Sequence, residues 1–201
     1  MLVPHRPLVL ASASPARRRL LLEAGFDPTV VVSGVDEDDF DGDDPWERVR
    51  MLAAAKARRV AAGPGVSGAL VVGCDSMLLF DGELLGRPAS AEDAITRWKR
   101  MRGRSGVLLT GHCVVDTTTG REAEGVADTV VRFGEPTDAE IAAYVATGEA
   151  LEVAGSFTLD GRSGPFIDGV EGDPSNVVGL SLPLLRRLLA ELGVELTSLW
   201  R

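Results

Sequence analysis

The chain has 201 residues, 45% hydrophobic and 25% charged, the proportions of a globular protein with a substantial core rather than of a disordered one. Its 21 Lys plus Arg against 30 Asp plus Glu leave a formal charge of -9, which argues against a duplex nucleic-acid binder and requires any phosphate site to be local. No apolar run approaches the roughly 18 to 20 residues of a spanning helix, and the segment Met1-Leu2-Val3-Pro4-His5-Arg6 lacks the long apolar core of a signal peptide. The expectation is a cytoplasmic protein with neither a nucleic-acid polymer nor a membrane as partner. Cys74 and Cys113 have no CxxC spacing and read as free thiols in a reducing compartment; with two histidines at unrelated positions they do not make a zinc site.

Taken in order, Pro7–Ala11 reads as a short strand, and Ser12-Ala13-Ser14 as a turn. A helix follows from Pro15 to Glu23, with Ser14 as N-cap, Pro15 at its first position and Gly25 just past its end. Thr29–Ser33 is a second strand candidate. The run Asp36 to Asp44 is too acidic and self-repelling for a core element and reads as a loop. Pro45 starts a helix to about Ala62, ended by Gly63-Pro64-Gly65. Ala69–Cys74 is a continuous apolar run of the kind found in strands buried on both faces, and it is expected to end at Asp75. Asp81-Gly82 between Met77–Phe80 and Glu83–Leu85 signals a hairpin. Ser90–Arg102 should be a third helix. Gly106–Asp116 and Ala123–Phe133 should be long strands, Thr137–Thr147 a helix, Gly161–Gly172 a glycine-rich segment with strand potential, and Ser181–Leu192 the last helix. Early alternation of strands and helices, followed by successive strands, predicts an α/β fold: a mixed central sheet flanked by helices. No repeat or linker divides residues 1–201, so one domain, either undivided or bilobed, is expected.

Several segments bear chemistry-prone residues. A small-residue loop opening a helix leaves backbone N–H groups free to meet an anion, and Ser12, Ser14 and Arg17 to Arg19 add hydroxyls and guanidiniums there. The same segment fits a capped surface helix with solvated arginines, and three consecutive arginines cannot all converge on one ligand. Lys56 shares a helix face with Val49, Leu52, Ala53 and Val60; it either meets an anion or snorkels to water. Asp75, placed at a strand's carboxyl end, suits Mg²⁺ or activation of a water, or else caps a turn with Ser76. Asp36 and Glu37 fall in a run that otherwise reads as solvated. Gly86-Arg87-Pro88 offers a cation in a rigid turn or a plain surface turn. The glycines around Ala154–Phe157 and Glu171–Leu180 permit either tight turns or close approach to a ligand. From the residues alone the reading stops at a phosphate-binding α/β domain, with or without metal assistance.

In order, these segments resemble the Maf family of nucleoside triphosphate pyrophosphatases. The resemblance rests on Leu10-Ala11-Ser12-Ala13-Ser14-Pro15-Ala16-Arg17-Arg18-Arg19-Leu20-Leu21, Val35-Asp36-Glu37, Lys56-Ala57, Gly73-Cys74-Asp75-Ser76, Gly86-Arg87-Pro88, Ala154–Phe157 and Asn176–Leu180, over roughly residues 8 to 183. It implies a bilobed α/β enzyme that hydrolyses a nucleoside triphosphate between its α- and β-phosphates with Mg²⁺ or Mn²⁺, cleaning nucleotide pools, and a homodimer. Asp75, Glu37 and Lys56 are implied as catalytic, Asp75 and Glu37 as metal-side carboxylates, and Ser12, Ser14, Arg17, Arg87 and Asn176 as phosphate contacts. Ala16, Ser76 and Asp160 stand where the family's branches differ in base preference and match neither well-known branch; Arg87 replaces the usual Lys, and Val153 a Lys of one branch. A regulator of septum formation that binds a nucleotide without turnover is the alternative, and an acidic domain with no ligand a third reading. Trp46, Trp98 and Trp200 are either partly buried anchors or interface residues.

Overall fold

The computed structural model describes residues 6–36 and 44–201. β1 (Leu8–Leu10) leads through a turn into α1 (Pro15–Glu23), then come β2 (Thr29–Val30) and α2 (Pro45–Ala61). The hairpin of β3 (Leu70–Phe80) and β4 (Glu83–Leu85) is followed by α3 (Ala91–Met101), β5 (Ser105–Asp116), β6 (Glu122–Phe133) and α4 (Asp138–Ala146). Three 3₁₀ turns lead to β7 (Ile167–Gly172), α5 (Pro174–Val178) and α6 (Leu182–Glu191). Seven strands form one mixed sheet in the order β2-β1-β3-β5-β6-β7, with β4 on β3. β1 runs parallel to β2 and β3, whereas β4 and β7 pair antiparallel with β3 and β6. The predicted α/β class and mixed sheet are therefore observed.

The chain divides into two compact units, the first comprising residues through Asp75, Thr110–Ala127 and Gly179–Arg201, the second Ser76–Leu109 and Asp128–Val178. In the first unit β1 and the first half of β3 are buried on both faces because their side chains alternate between two helical layers. Leu8, Leu10, Leu70 and Val72 pack with Leu21 of α1 and Leu185 and Leu189 of α6. Val9 and Val71, one residue out of phase, pack with Ala53, Ala57 and Val60 of α2. α2 lies very close to the strands, since a Cβ at Gly73 would fall 2.3 Å from the Ala53 carbonyl oxygen and one at Gly111 2.0 Å from that of Val49. The second unit is built around Trp98, fully buried and edge-on to Phe133, Tyr144 and Phe166 at 5.7 to 5.9 Å. Trp98 is thus a core residue rather than a partly exposed one.

Three sequence expectations need correction. β3 does not end at Asp75 but continues to Phe80, because the carboxylate that would ordinarily terminate a buried strand has an ammonium partner inside the fold. The second strand covers Thr29–Val30 only, both residues exposed, and Val32 beyond them is 63% exposed with no core to hold it. The segment from Gly161 becomes a strand only at Ile167, after a 3₁₀ turn at Gly164–Phe166 that Pro165 starts.

Candidate active site

The first unit holds Ser12, Ser14, Ala16, Arg17, Lys56 and Asp75 of the predicted residues. Ser14 has the extended backbone of an N-cap, and its hydroxyl oxygen accepts from the Arg17 N–H at 3.4 Å. The Ser12 hydroxyl oxygen accepts both the Ser14 N–H at 3.2 Å and Arg17 Nη1 at 3.1 Å, so the turn and the guanidinium fix one another. Arg17 Nη1 also donates to the Cys74 carbonyl at 2.9 Å, and Nε to the Gly179 carbonyl at 2.7 Å. Arg17 is half-buried, while Arg18 and Arg19 are exposed and Arg19 pairs with Glu23 at 3.9 Å. One of the three consecutive arginines is therefore selected by the fold, as their angular spread requires.

One residue beyond Cys74, Asp75 is 4% exposed. Its Oδ1 accepts from Lys56 Nζ at 2.5 Å, a charge-assisted bond between β3 and α2. Lys56 is itself buried, which decides between the readings left open for it: the ammonium meets an anion. Burial pushes the Cys74 thiol up to about 11, so it remains S–H at neutral pH. Ala16 is half-buried on α1 and Asp36 exposed; Glu37 lies outside the described residues.

The second unit holds Ser76, Arg87, Asp160 and Asn176. Arg87 is exposed in the turn after β4, where the Gly86 carbonyl accepts from the Gly155 N–H at 3.1 Å and from Arg97 Nη1 at 2.8 Å. The Gly-Arg-Pro and Ala-Gly-Ser-Phe motifs are thus joined through backbone. Trp98 Nε1 donates to the Ser156 carbonyl at 2.7 Å and fixes the second motif. Asp160 is exposed in a turn closed by Ser163, whose hydroxyl accepts the Thr158 N–H, and by Glu149, which accepts from Thr158 Oγ1 at 2.6 Å. Asn176 is fully buried, with Nδ2 donating to the Leu108 carbonyl and to Thr129 Oγ1, both at 3.1 Å. Ser76 is half-buried in β3.

Cys113, Glu122 and Glu124 form a group whose ligand atoms lie within 4.8 Å of one another, able by spacing to hold a metal ion. Its chemistry suits a hard cation poorly. Burial pushes Cys113 up to about 12, which keeps it protonated, and Arg58 bonds both glutamates while Arg50 bonds Glu124. No sequence pattern had pointed to this group.

A serine-capped turn, a buried Lys–Asp pair and a selected arginine occur together in the order the motifs predicted, and the family comparison agrees. The family described as Maf-like protein matches residues 7–192. This chain belongs to the Maf family. Relatives named nucleoside triphosphate pyrophosphatase include one from Streptomyces avermitilis, 64% identical over 197 residues that cover 98% of this chain and 96% of the relative. Another from Streptomyces coelicolor is 65% identical with the same coverage, and one from Thermosynechococcus vestitus is 53% identical over 192 residues, covering 96% of each.

Proposed function

We propose that the chain is a nucleoside triphosphate pyrophosphatase that hydrolyses its substrate to a nucleoside monophosphate and pyrophosphate. The observation that carries this reading is the buried Lys56–Asp75 bond of 2.5 Å, one residue from the carbonyl that orients Arg17. A carboxylate buried beside an anion-binding turn is a liability to a simple phosphate binder and an asset to an enzyme that must activate water. In this mechanism Asp75 accepts the proton of the attacking water at a carboxylate oxygen, and Lys56 fixes the orientation of that carboxylate. Arg17, oriented by Ser12, Cys74 and Gly179, offsets charge developing on the leaving pyrophosphate as the phosphoanhydride bond breaks. Asp75 is an oxygen donor of the type Mg²⁺ or Mn²⁺ prefers, and such ions complete their shell with waters and phosphate oxygens, so the donor chemistry fits. When bound, the cation supplies neutralisation of the phosphate oxygens. Glu37 is proposed as the second carboxylate on that side.

The roles proposed for Arg87 and Asn176 in phosphate binding and for Ala16, Ser76 and Asp160 in base selection rest on the family resemblance. The single domain over residues 1–201 and the cytoplasmic location are proposed from the sequence pattern, and the homodimer from the family resemblance. Among the described residues no helix is long and apolar enough to cross a membrane. The test is pyrophosphate release by the full chain with Mg²⁺ or Mn²⁺ across canonical and modified nucleoside triphosphates. Wild type should give equal amounts of monophosphate and pyrophosphate, and Asp75→Asn should lose at least about 100-fold in kcat, as loss of a general base does. Orthophosphate as the product, or Asp75→Asn with unchanged turnover, overturns the reading.

A further inference from the structure

We infer that His112 is a positioning residue for the phosphate-binding arginine, acting through the turn at Gly179–Ser181; this rests on the role proposed above for Arg17. His112 lies on β5, fully buried, and both ring nitrogens are engaged within the first unit. Nε2 lies 2.8 Å from the Ser181 backbone nitrogen, which can only donate, so Nε2 is an acceptor and carries no proton. Nδ1 therefore bears the hydrogen and donates to the Thr110 carbonyl at 3.0 Å. The imidazole is neutral and fixed in one tautomer by two backbone groups.

Ser181 is the N-cap of α6, its hydroxyl oxygen accepting from the Leu184 N–H at 3.1 Å, and it is 2% exposed. Without His112 its own N–H would have no acceptor at this spot. Two residues earlier the Gly179 carbonyl accepts Arg17 Nε at 2.7 Å. Gly179 has φ +117, and a Cβ there would stand 3.2 Å from Arg17 Nε, so backbone and guanidinium are in tight apposition with no side chain to adjust the fit. Ser12 Oγ and the Cys74 carbonyl both accept from Nη1, whereas the Gly179 carbonyl accepts from Nε and so bears on the direction of that nitrogen. His112 anchors the turn at one end and Arg17 reads its position at the other. The histidine touches no substrate in this scheme; it sets the angle of a group that does.

The experiment is a double-mutant cycle on the full chain, read as kcat and KM for pyrophosphate release, with His112→Leu, His112→Gln, Arg17→Ala and the doubles. His112→Leu removes the acceptor, and should lower kcat/KM by about 10- to 100-fold, the order expected from misplacing a binding group by about 1 Å. His112→Gln, whose amide oxygen can accept from the Ser181 N–H, should recover at least part of the loss. In the Arg17→Ala background His112→Leu should have no further effect. Equal losses in both backgrounds would mean a general structural role and overturn the inference while leaving the pyrophosphatase reading intact. The tautomer gives a readout that depends neither on turnover nor on the variants folding. The imidazole nitrogen resonances of the wild-type protein should show a protonated Nδ1 and an unprotonated Nε2. A protonated Nε2 overturns the inference even if turnover is normal. Absence of turnover in the wild type with the expected tautomer instead overturns the function from which Arg17 takes its role, and the relay with it.

Discussion

Gly73→Ala probes the contact on which the Lys56–Asp75 pair depends. The added methyl would stand 2.3 Å from the Ala53 carbonyl oxygen, 2.7 Å from the Ala57 nitrogen and 2.9 Å from the Ala57 Cβ. The two shortest contacts are backbone atoms of α2, which cannot rotate away, so relief requires that the helix move off the strand by about 1 Å. That shift loosens Ala53, Ala57 and Val60 from Val9, Val71 and Cys113, and it carries Lys56, the neighbour of Ala57, away from Asp75. Overpacking of this kind costs about 1–3 kcal/mol. The upper half of that range applies where backbone is the obstacle, and restricting the unfolded chain returns about 0.4–1 kcal/mol. The net destabilisation is about 2 kcal/mol, a fall in Tm of about 4–8 °C for a chain of this size. Calorimetry and pyrophosphate release measured together decide the matter, with activity expected to fall at temperatures where the variant is still folded. Adding Ala57→Gly should recover less than half of the loss, because it removes the 2.9 Å contact and leaves the one to Ala53. An unchanged Tm with unchanged kcat/KM would refute the claim that the close helix–strand approach positions the ion pair.

Further consequences concern charge, thiols and the second core. The Arg6 guanidinium, aided by the Thr118 N–H and opposed by burial, holds Asp116 down at about 2. A depressed carboxyl contributes its stability above the unfolded value and loses it as pH falls from about 4 toward 2, some 2 kcal/mol in all. Asp116→Asn should therefore be less stable than wild type at pH 7 in urea titrations, with the gap shrinking to about a third of that by pH 2.5; a gap independent of pH would contradict the pairing. Cys74 and Cys113 are buried, with thiols raised to about 11 and about 12, so iodoacetamide at pH 8 should modify neither in native protein and both in urea. Rapid native labelling would refute their placement. Trp98→Phe leaves the Ser156 carbonyl without its donor and opens space in the aromatic cluster, which should cost about 2–4 kcal/mol in denaturant titrations. A loss below about 1 kcal/mol would show that the indole N–H is dispensable.

What the sequence disclosed and what it hid have a common physical origin. Ser14, Pro15 and Gly25 announce α1 because capping and turn chemistry act over a few adjacent residues, and the same holds for the Asp81-Gly82 hairpin. Apolar continuity announced β3 but misplaced its end, since a carboxylate in a buried strand is tolerated only with a partner, and Lys56 sits 19 residues away on a helix. His112 carried no local mark at all. Its meaning lies in a backbone N–H 69 residues later, and a neutral imidazole bonding two main-chain groups leaves no spacing to read. The contacts left unread are thus those made to main-chain atoms: Arg17 at Gly179 and Cys74, His112 at Thr110 and Ser181, Trp98 at Ser156. Backbone partners place no demand on the side chain at their own position, so pairing by residue type cannot reveal them. The family motifs mark where the chemistry is expected; the angle at which Arg17 is presented to it is set by contacts that a motif cannot encode.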